Sequence, residues 1–204
     1  MITLFHAPGS CSLAVKAALA LSGLEYEVKE INAQEGEHLS EEFKKINPLK
    51  KVPALEVEGT IITEGAAILQ YISERSPETG LLPKLGTLKR AEALKWMMFV
   101  YSNIHPNFVQ AFHPERYGQD TADIKDKAEI QLHLLFEIVD DQLAKHNYIA
   151  GDQLTIADLY LAVAINWQMV LKESLTKKYQ HVSRYLKLLM QLPVIGGIYS
   201  AELS

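Results

Sequence analysis

Pro53-Ala54-Leu55-Glu56-Val57-Glu58-Gly59-Thr60-Ile61-Ile62-Thr63-Glu64-Gly65 is the stretch that decides the fold. The run from Pro53 to Val57 meets Glu58-Gly59, a pair suited to a tight two-residue turn, and returns as Thr60-Ile61-Ile62. That spacing predicts an antiparallel hairpin. Immediately afterwards the apolar residues take up helical spacing, which predicts a helix over residues 63 to about 74. Upstream, Asn47-Pro48 separates the hairpin from a weaker helical pattern that starts at Ser40. Further back lies a short apolar run at residues 2–5, a Pro8-Gly9 break, and a helical pattern over 12–21 ended by Gly23. Tyr26 and Val28 alternate with charged neighbours, as a second strand would. The helix between the two strands is long enough to make them parallel.

The resulting order, βαβαββα, is that of a thioredoxin-like fold. Downstream, Ser76-Pro77-Glu78-Thr79-Gly80-Leu81-Leu82-Pro83 has the proline and glycine content of an interdomain linker. Beyond it every pattern is helical. Residues 87 to about 112 form one long stretch, in which Pro106 forces a kink or break. Residues 122–144 form a second helix, and 183–192 another, stopped by Pro193. At Thr155-Ile156-Ala157-Asp158 the hydroxyl can cap a helix start while the carboxylate reaches back, with Leu154 and Leu159 able to pack as a staple. The expected organisation is an α/β thioredoxin-like domain over residues 1–78 and an all-α domain over residues 86–204.

Of the 204 residues, 48% are hydrophobic and 22% charged, enough apolar material for one large or two small cores. The net charge of −5 is carried by the first 80 residues, which hold 7 Lys/Arg against 12 Asp/Glu. No basic stripe is present to neutralise phosphates, which argues against nucleic acid or an anionic membrane as partner. The apolar stretch 159–171 is broken by Asn166 and Gln168 and is too short to span a bilayer. The N-terminus has neither the cationic start nor the apolar core of a secretory signal, so a cytoplasmic protein is expected. With one cysteine, Cys11, there is no internal disulfide and no cysteine-based zinc cage.

Asn47-Pro48-Leu49-Lys50-Lys51-Val52-Pro53-Ala54-Leu55, then Thr63-Glu64-Gly65-Ala66-Ala67-Ile68, then Thr155-Ile156-Ala157-Asp158 resemble, in that order, the glutathione transferase superfamily. Pro8-Gly9-Ser10-Cys11-Ser12-Leu13 and His105 narrow the resemblance to the bacterial beta class, over essentially the whole chain. The resemblance implies a homodimeric detoxification enzyme that uses glutathione as co-substrate, with no metal and no tightly bound cofactor. A small apolar electrophile would receive the glutathione sulfur. Two other functions stay open: a monothiol glutathione-dependent disulfide reductase working through Cys11, and a non-catalytic binding protein on the same fold.

By the same resemblance the Val52-Pro53 bond is cis, so that the Val52 backbone pairs with glutathione like an added strand. Residue types alone would read Pro53 as a trans proline opening an edge strand. Glu64 would bind the ligand's α-amino group, and Gly65 would offer its N–H to the γ-glutamyl carboxylate at a helix start. Read without the family, Glu64 merely complements the helix dipole. Lys51 would reach the glycyl carboxylate. Cys11 lies at the start of the first helix, where N–H groups lower a thiol pKa; a small buried apolar residue is the plainer reading. Either Cys11 or Ser12 would face the glutathione sulfur. His105, four residues after Tyr101 on one helical face, would point into the cleft and polarise the thiol or position a water. Trp167 would line the electrophile pocket, or be a core tryptophan. Where the family has a lysine after the histidine this chain has Pro106, and Asn103-Ile104 stand where an acidic residue precedes it.

Overall fold

The computed structural model describes residues 1–203. At its hairpin, Ala54–Val57 (β3) and Thr60–Ile62 (β4) pair with Val57 opposite Thr60. Both turn residues are left-handed, Glu58 at φ 52° and Gly59 at φ 78°. Two positive φ values in succession give the turn a twist that matches its strands. Ile2–His6 (β1) runs antiparallel to β3 and parallel to Tyr26–Glu30 (β2), giving the sheet order β2-β1-β3-β4. The central β1 is buried along its whole length.

Ser12–Ser22 (α1) makes the crossover and ends at Gly23. Glu41–Ile46 (α2) starts where Ser40 Oγ accepts the Phe43 N–H at 3.1 Å. Gly65–Arg75 (α3) follows β4. It begins two residues later than the sequence pattern suggests, because Glu64 takes φ 65° and cannot belong to the helix. One sheet face packs Phe5, Ile31, Phe43 and Ala54 as a small separate core. The opposite face joins a core that continues into the helical region.

Between the two regions, Leu81 and Leu82 are buried and the Leu81 carbonyl accepts the Ile156 N–H at 3.0 Å, so the connecting segment is pinned down. Leu88–Phe99 (α4) then leads into one wider turn of π type, Val100–Ile104, before His105–Phe112 (α5). The break expected at Pro106 takes this form. A proline cannot supply the N–H that ordinary winding would need there, and the wider turn lets His105 donate back to Val100 instead. Thr121–Leu143 (α6) is followed by Ile156–Asn166 (α7), whose residues from Ile156 to Ile165 are all buried. Among the described residues no helix is long and apolar enough to cross a membrane.

Asp158 anchors the start of α7. Its carboxylate accepts the Thr155 N–H (2.8 Å), the Thr155 hydroxyl (2.9 Å), the Ile149 N–H (2.8 Å) and the Tyr185 hydroxyl (3.0 Å). Leu175–Lys178 (α8) and Gln180–Met190 (α9) come next. The helix expected to stop at Pro193 does end just before it, and Pro193 also opens another, Pro193–Leu203 (α10); proline is well suited to a first helical position. The sharp α9–α10 corner requires Gly196, since a Cβ there would lie 2.0 Å from the Met190 carbonyl oxygen.

Candidate functional site

Asn47 builds the loop on which the site rests. Its side-chain amide donates to the Lys51 carbonyl at 2.6 Å and its Oδ1 accepts the Leu49 N–H at 3.0 Å, while its carbonyl accepts the Lys50 N–H at 2.8 Å. The loop delivers a cis Val52-Pro53 bond. Gly65, the first residue of α3, lies against it: a Cβ at this position would sit 3.6 Å from Pro53 Cγ and 3.4 Å from Tyr160 Cε2. The first N–H groups of α3 have no carbonyl a turn earlier to pair with, and the helix dipole adds positive potential there. Glu64, immediately before, reaches across to the helical region, where the Tyr101 hydroxyl donates to its carboxylate.

Cys11 departs from the sequence expectation. It caps α1 but the early N–H groups are already used: Ser12 N–H goes to Ser10 Oγ (3.2 Å), Leu13 N–H to the Ser10 carbonyl (3.1 Å) and Ala14 N–H to the Cys11 carbonyl (3.3 Å). Burial dominates, pushing the thiol up to about 11, against a smaller lowering by the Tyr160 hydroxyl and the Lys51 charge. The thiol keeps its proton and donates it to the Val52 carbonyl at 3.4 Å.

Ser12 is corrected as well. It is fully buried and turned away from Val52 into a different network. Its Oγ lies 2.7 Å from His6 Nδ1, 2.7 Å from Ser10 Oγ and 3.1 Å from the Ala7 N–H, which it accepts. His6 Nε2 in turn meets both carboxylate oxygens of Glu202 at 3.0 Å, and the same carboxylate holds Lys16 Nζ at 2.5 Å. Burial lowers the His6 pKa, more than Glu202 raises it. With its hydrogen-bonding directions occupied, Ser12 shapes the loop and is not available to a ligand sulfur.

His105 sits at the head of α5 with Nδ1 2.7 Å from the Tyr160 hydroxyl. Burial, helped by the positive charge of Lys51, holds its pKa down at about 4, so the imidazole is neutral near pH 7. Tyr160 is almost wholly enclosed, and burial raises its pKa well above the ordinary phenol range. Trp167 lies just past the end of α7, in the short turn Trp167–Val170. It is buried, packs tilted against the His105 ring with centroids 5.0 Å apart and edge-on to Phe108 at 5.6 Å, and donates its indole N–H to the Gly9 carbonyl at 2.9 Å. Its polar edge is therefore spent on holding the Pro8-Gly9 loop and its rings on supporting His105. The core reading fits it better than a pocket lining.

Cys11, Val52, Pro53, Gly65 and His105 converge around Tyr160. Glu64 stands at one side, and the Lys51 charge is felt at both Cys11 and His105. Sequence reasoning missed Tyr160 and gave Tyr101 no role beyond its helical face. Tyr160 offered one signal, a polar group in an otherwise apolar helix that would need a partner.

Residues 1–74 match the family model of the glutathione S-transferase N-terminal domain, and residues 92–193 that of the C-terminal domain. Glutathione S-transferase GST-4.5 of Xanthomonas campestris pv. campestris is 36% identical over 167 residues, covering 80% of this chain and 81% of that one. A sphingomonad glutathione S-transferase solved in complex with glutathione superposes with a TM-score of 0.86 at 32% identity, covering 98% of each chain. A bacterial beta class glutathione S-transferase from Sphingomonas chungbukensis does so with a TM-score of 0.86 at 31% identity, again over 98% of both.

Proposed function

The chain belongs to the glutathione S-transferase family, and from that premise we propose that it joins the glutathione thiol to small apolar electrophiles. The observation that carries this is the wedging of Gly65 between Pro53 and Tyr160. It sets an anion-binding helix start one side chain away from the Cys11 and His105 pair. Glutathione has a carboxylate and an ammonium at its γ-glutamyl end and a thiol one residue on. The head of α3 suits that carboxylate, Glu64 the ammonium, and the Val52 backbone the cysteinyl unit. Lys51 suits the glycyl carboxylate.

The nucleophile in this reading is the sulfur of glutathione. Cys11, Tyr160 and His105 are all neutral near pH 7 and would offer the sulfur uncharged surroundings. The Lys51 charge lowers the pKa of groups beside it and favours a thiolate there. Holding sulfur and electrophile in contact supplies much of the acceleration. Residues 1–78 would bind glutathione, and residues 86–204 would shape the electrophile site, in a cytoplasmic homodimer that detoxifies its substrates. A dimer gives a light-scattering mass near twice 22.9 kDa; a mass near one chain would exclude it. Disulfide reduction through Cys11 has little support from a buried thiol that keeps its proton.

Retention on immobilised glutathione, followed by turnover of an aryl halide with glutathione, tests the assignment. Conjugation at a rate well above the uncatalysed reaction is expected. Tight retention with no turnover of aryl halides, epoxides or activated alkenes would point to a binding protein instead.

A further inference from the structure

Glu64, assigned above to the ligand's ammonium, has little from its own domain to hold its side chain. Its φ of 65° puts it outside α3, and it is exposed. Among the described residues its carboxylate has one hydrogen-bond donor, the hydroxyl of Tyr101 in the helical domain. Tyr101 is itself well held. It is half-buried, and its ring packs on that of Tyr160, centroids 5.9 Å apart, and edge-on to that of His105 at 6.4 Å. Its backbone lies in the wide turn Val100–Ile104, which also brings His105 to the Tyr160 hydroxyl. An ionised carboxylate can only accept and offers roughly four lone-pair directions. The phenol therefore donates, takes one direction, and leaves others for a cation.

We propose that Tyr101 is a positioning residue for glutathione recognition: from the helical domain it aims the Glu64 carboxylate at the place the γ-glutamyl ammonium takes. The ligand and the role of Glu64 rest on the transferase reading above. A free glutamate side chain loses rotamer freedom when it closes on an ammonium, which opposes binding. A carboxylate tied to a phenol whose ring is packed on two sides has lost that freedom before the ligand arrives. Tyr101 acts through Glu64 alone in this arrangement, so its influence falls on the binding of glutathione and not on the chemical step.

Calorimetric titration of the full-length protein with glutathione, and with glutaryl-cysteinyl-glycine, in which hydrogen replaces the α-amino group, tests this. Wild-type protein should prefer glutathione by about tenfold or more. Tyr101→Phe keeps the ring and its packing, so the fold is retained. It should raise the Kd for glutathione about tenfold and leave that for the analogue within about twofold, because the analogue has no ammonium for Glu64 to meet. Glu64→Gln should remove most of the preference, and adding Tyr101→Phe to it should change neither Kd. In aryl-halide conjugation by Tyr101→Phe, the KM for glutathione should rise about tenfold with kcat unchanged. An equal loss for both ligands in Tyr101→Phe would make the residue merely structural, and an unchanged or tighter Kd for glutathione would mean that the phenol competes with the ligand for Glu64. Either result overturns the proposal while leaving the transferase reading intact. Wild-type protein that binds neither ligand overturns both.

Discussion

Alkylation of Cys11 offers a direct measure of how its surroundings govern it. Burial pushes the thiol from an ordinary value of 9.0 up to about 11. Below both values, the thiolate fraction falls tenfold for each unit, so at pH 7 Cys11 should present about 100-fold less thiolate than an unperturbed cysteine. The thiolate is the reacting form, but a more basic thiolate is also the better nucleophile, which offsets part of this, so iodoacetamide should label Cys11 at least about 10-fold more slowly than it labels a model thiol peptide. Enclosure of the sulfur slows it further. Intact-mass spectrometry of the native protein over time reads the rate, and urea-unfolded protein supplies the reference. The rate should climb tenfold per pH unit through pH 9 without levelling off. Rapid labelling at pH 7, or a plateau below pH 9, would mean a stabilised thiolate and refute the reasoning. Cys11→Ala should keep most of the conjugating activity, because it removes one neutral hydrogen-bonding group and no nucleophile.

Three further outcomes follow from other residues. Glu64→Gly should gain about 1 kcal/mol by relieving the φ of 65°, while weakening glutathione binding by about tenfold or more, both readable by thermal unfolding and calorimetric titration; unchanged affinity would remove Glu64 from the ligand's contacts. Asp158→Ala strands two buried N–H groups and two hydroxyls, and since the hydroxyls can turn elsewhere but the N–H groups cannot, a loss of about 3–5 kcal/mol is expected from urea midpoints, with less than about 1 kcal/mol refuting the anchor role. His105 is held at about 4 in the folded protein against 6.5 ordinarily, so its unfolded form takes up a proton first as pH falls. Stability should therefore be intact above pH 6.5 and decline towards pH 4, by about 3 kcal/mol from this group, and a His105→Gln variant should lack that portion of the decline.

The hairpin was legible because its signal is local: two turn residues fix the twist, and the strands on either side follow. The helix starts at Ser40 and Thr155 were legible for the same reason, each resting on a side chain that reaches only three residues along. What sequence obscured depends on distant partners. Helical position alone suggested a reactive Cys11, and only the packing of Tyr160 and Val52 around it reveals a protonated thiol. Ser12 and Cys11 are adjacent, yet α1 turns one toward His6 and the other toward Val52. Pro193 marked the end of one helix but gave no sign that it also begins the next, whose packing depends on the close approach of Gly196 to the Met190 carbonyl.

Glu202 meets His6 across 196 positions of sequence, and this has a consequence for the order in which the protein is made. A ribosome adding about 5–20 residues per second releases the whole sheet region on the order of ten seconds before residue 202 is added. During that interval His6 has no carboxylate beside it, the Gly9 N–H lacks the same acceptor at 3.4 Å, and Lys16 has no counter-ion in α10. The loop bearing Cys11 is synthesised well before α10 and receives its full set of partners only when α10 arrives.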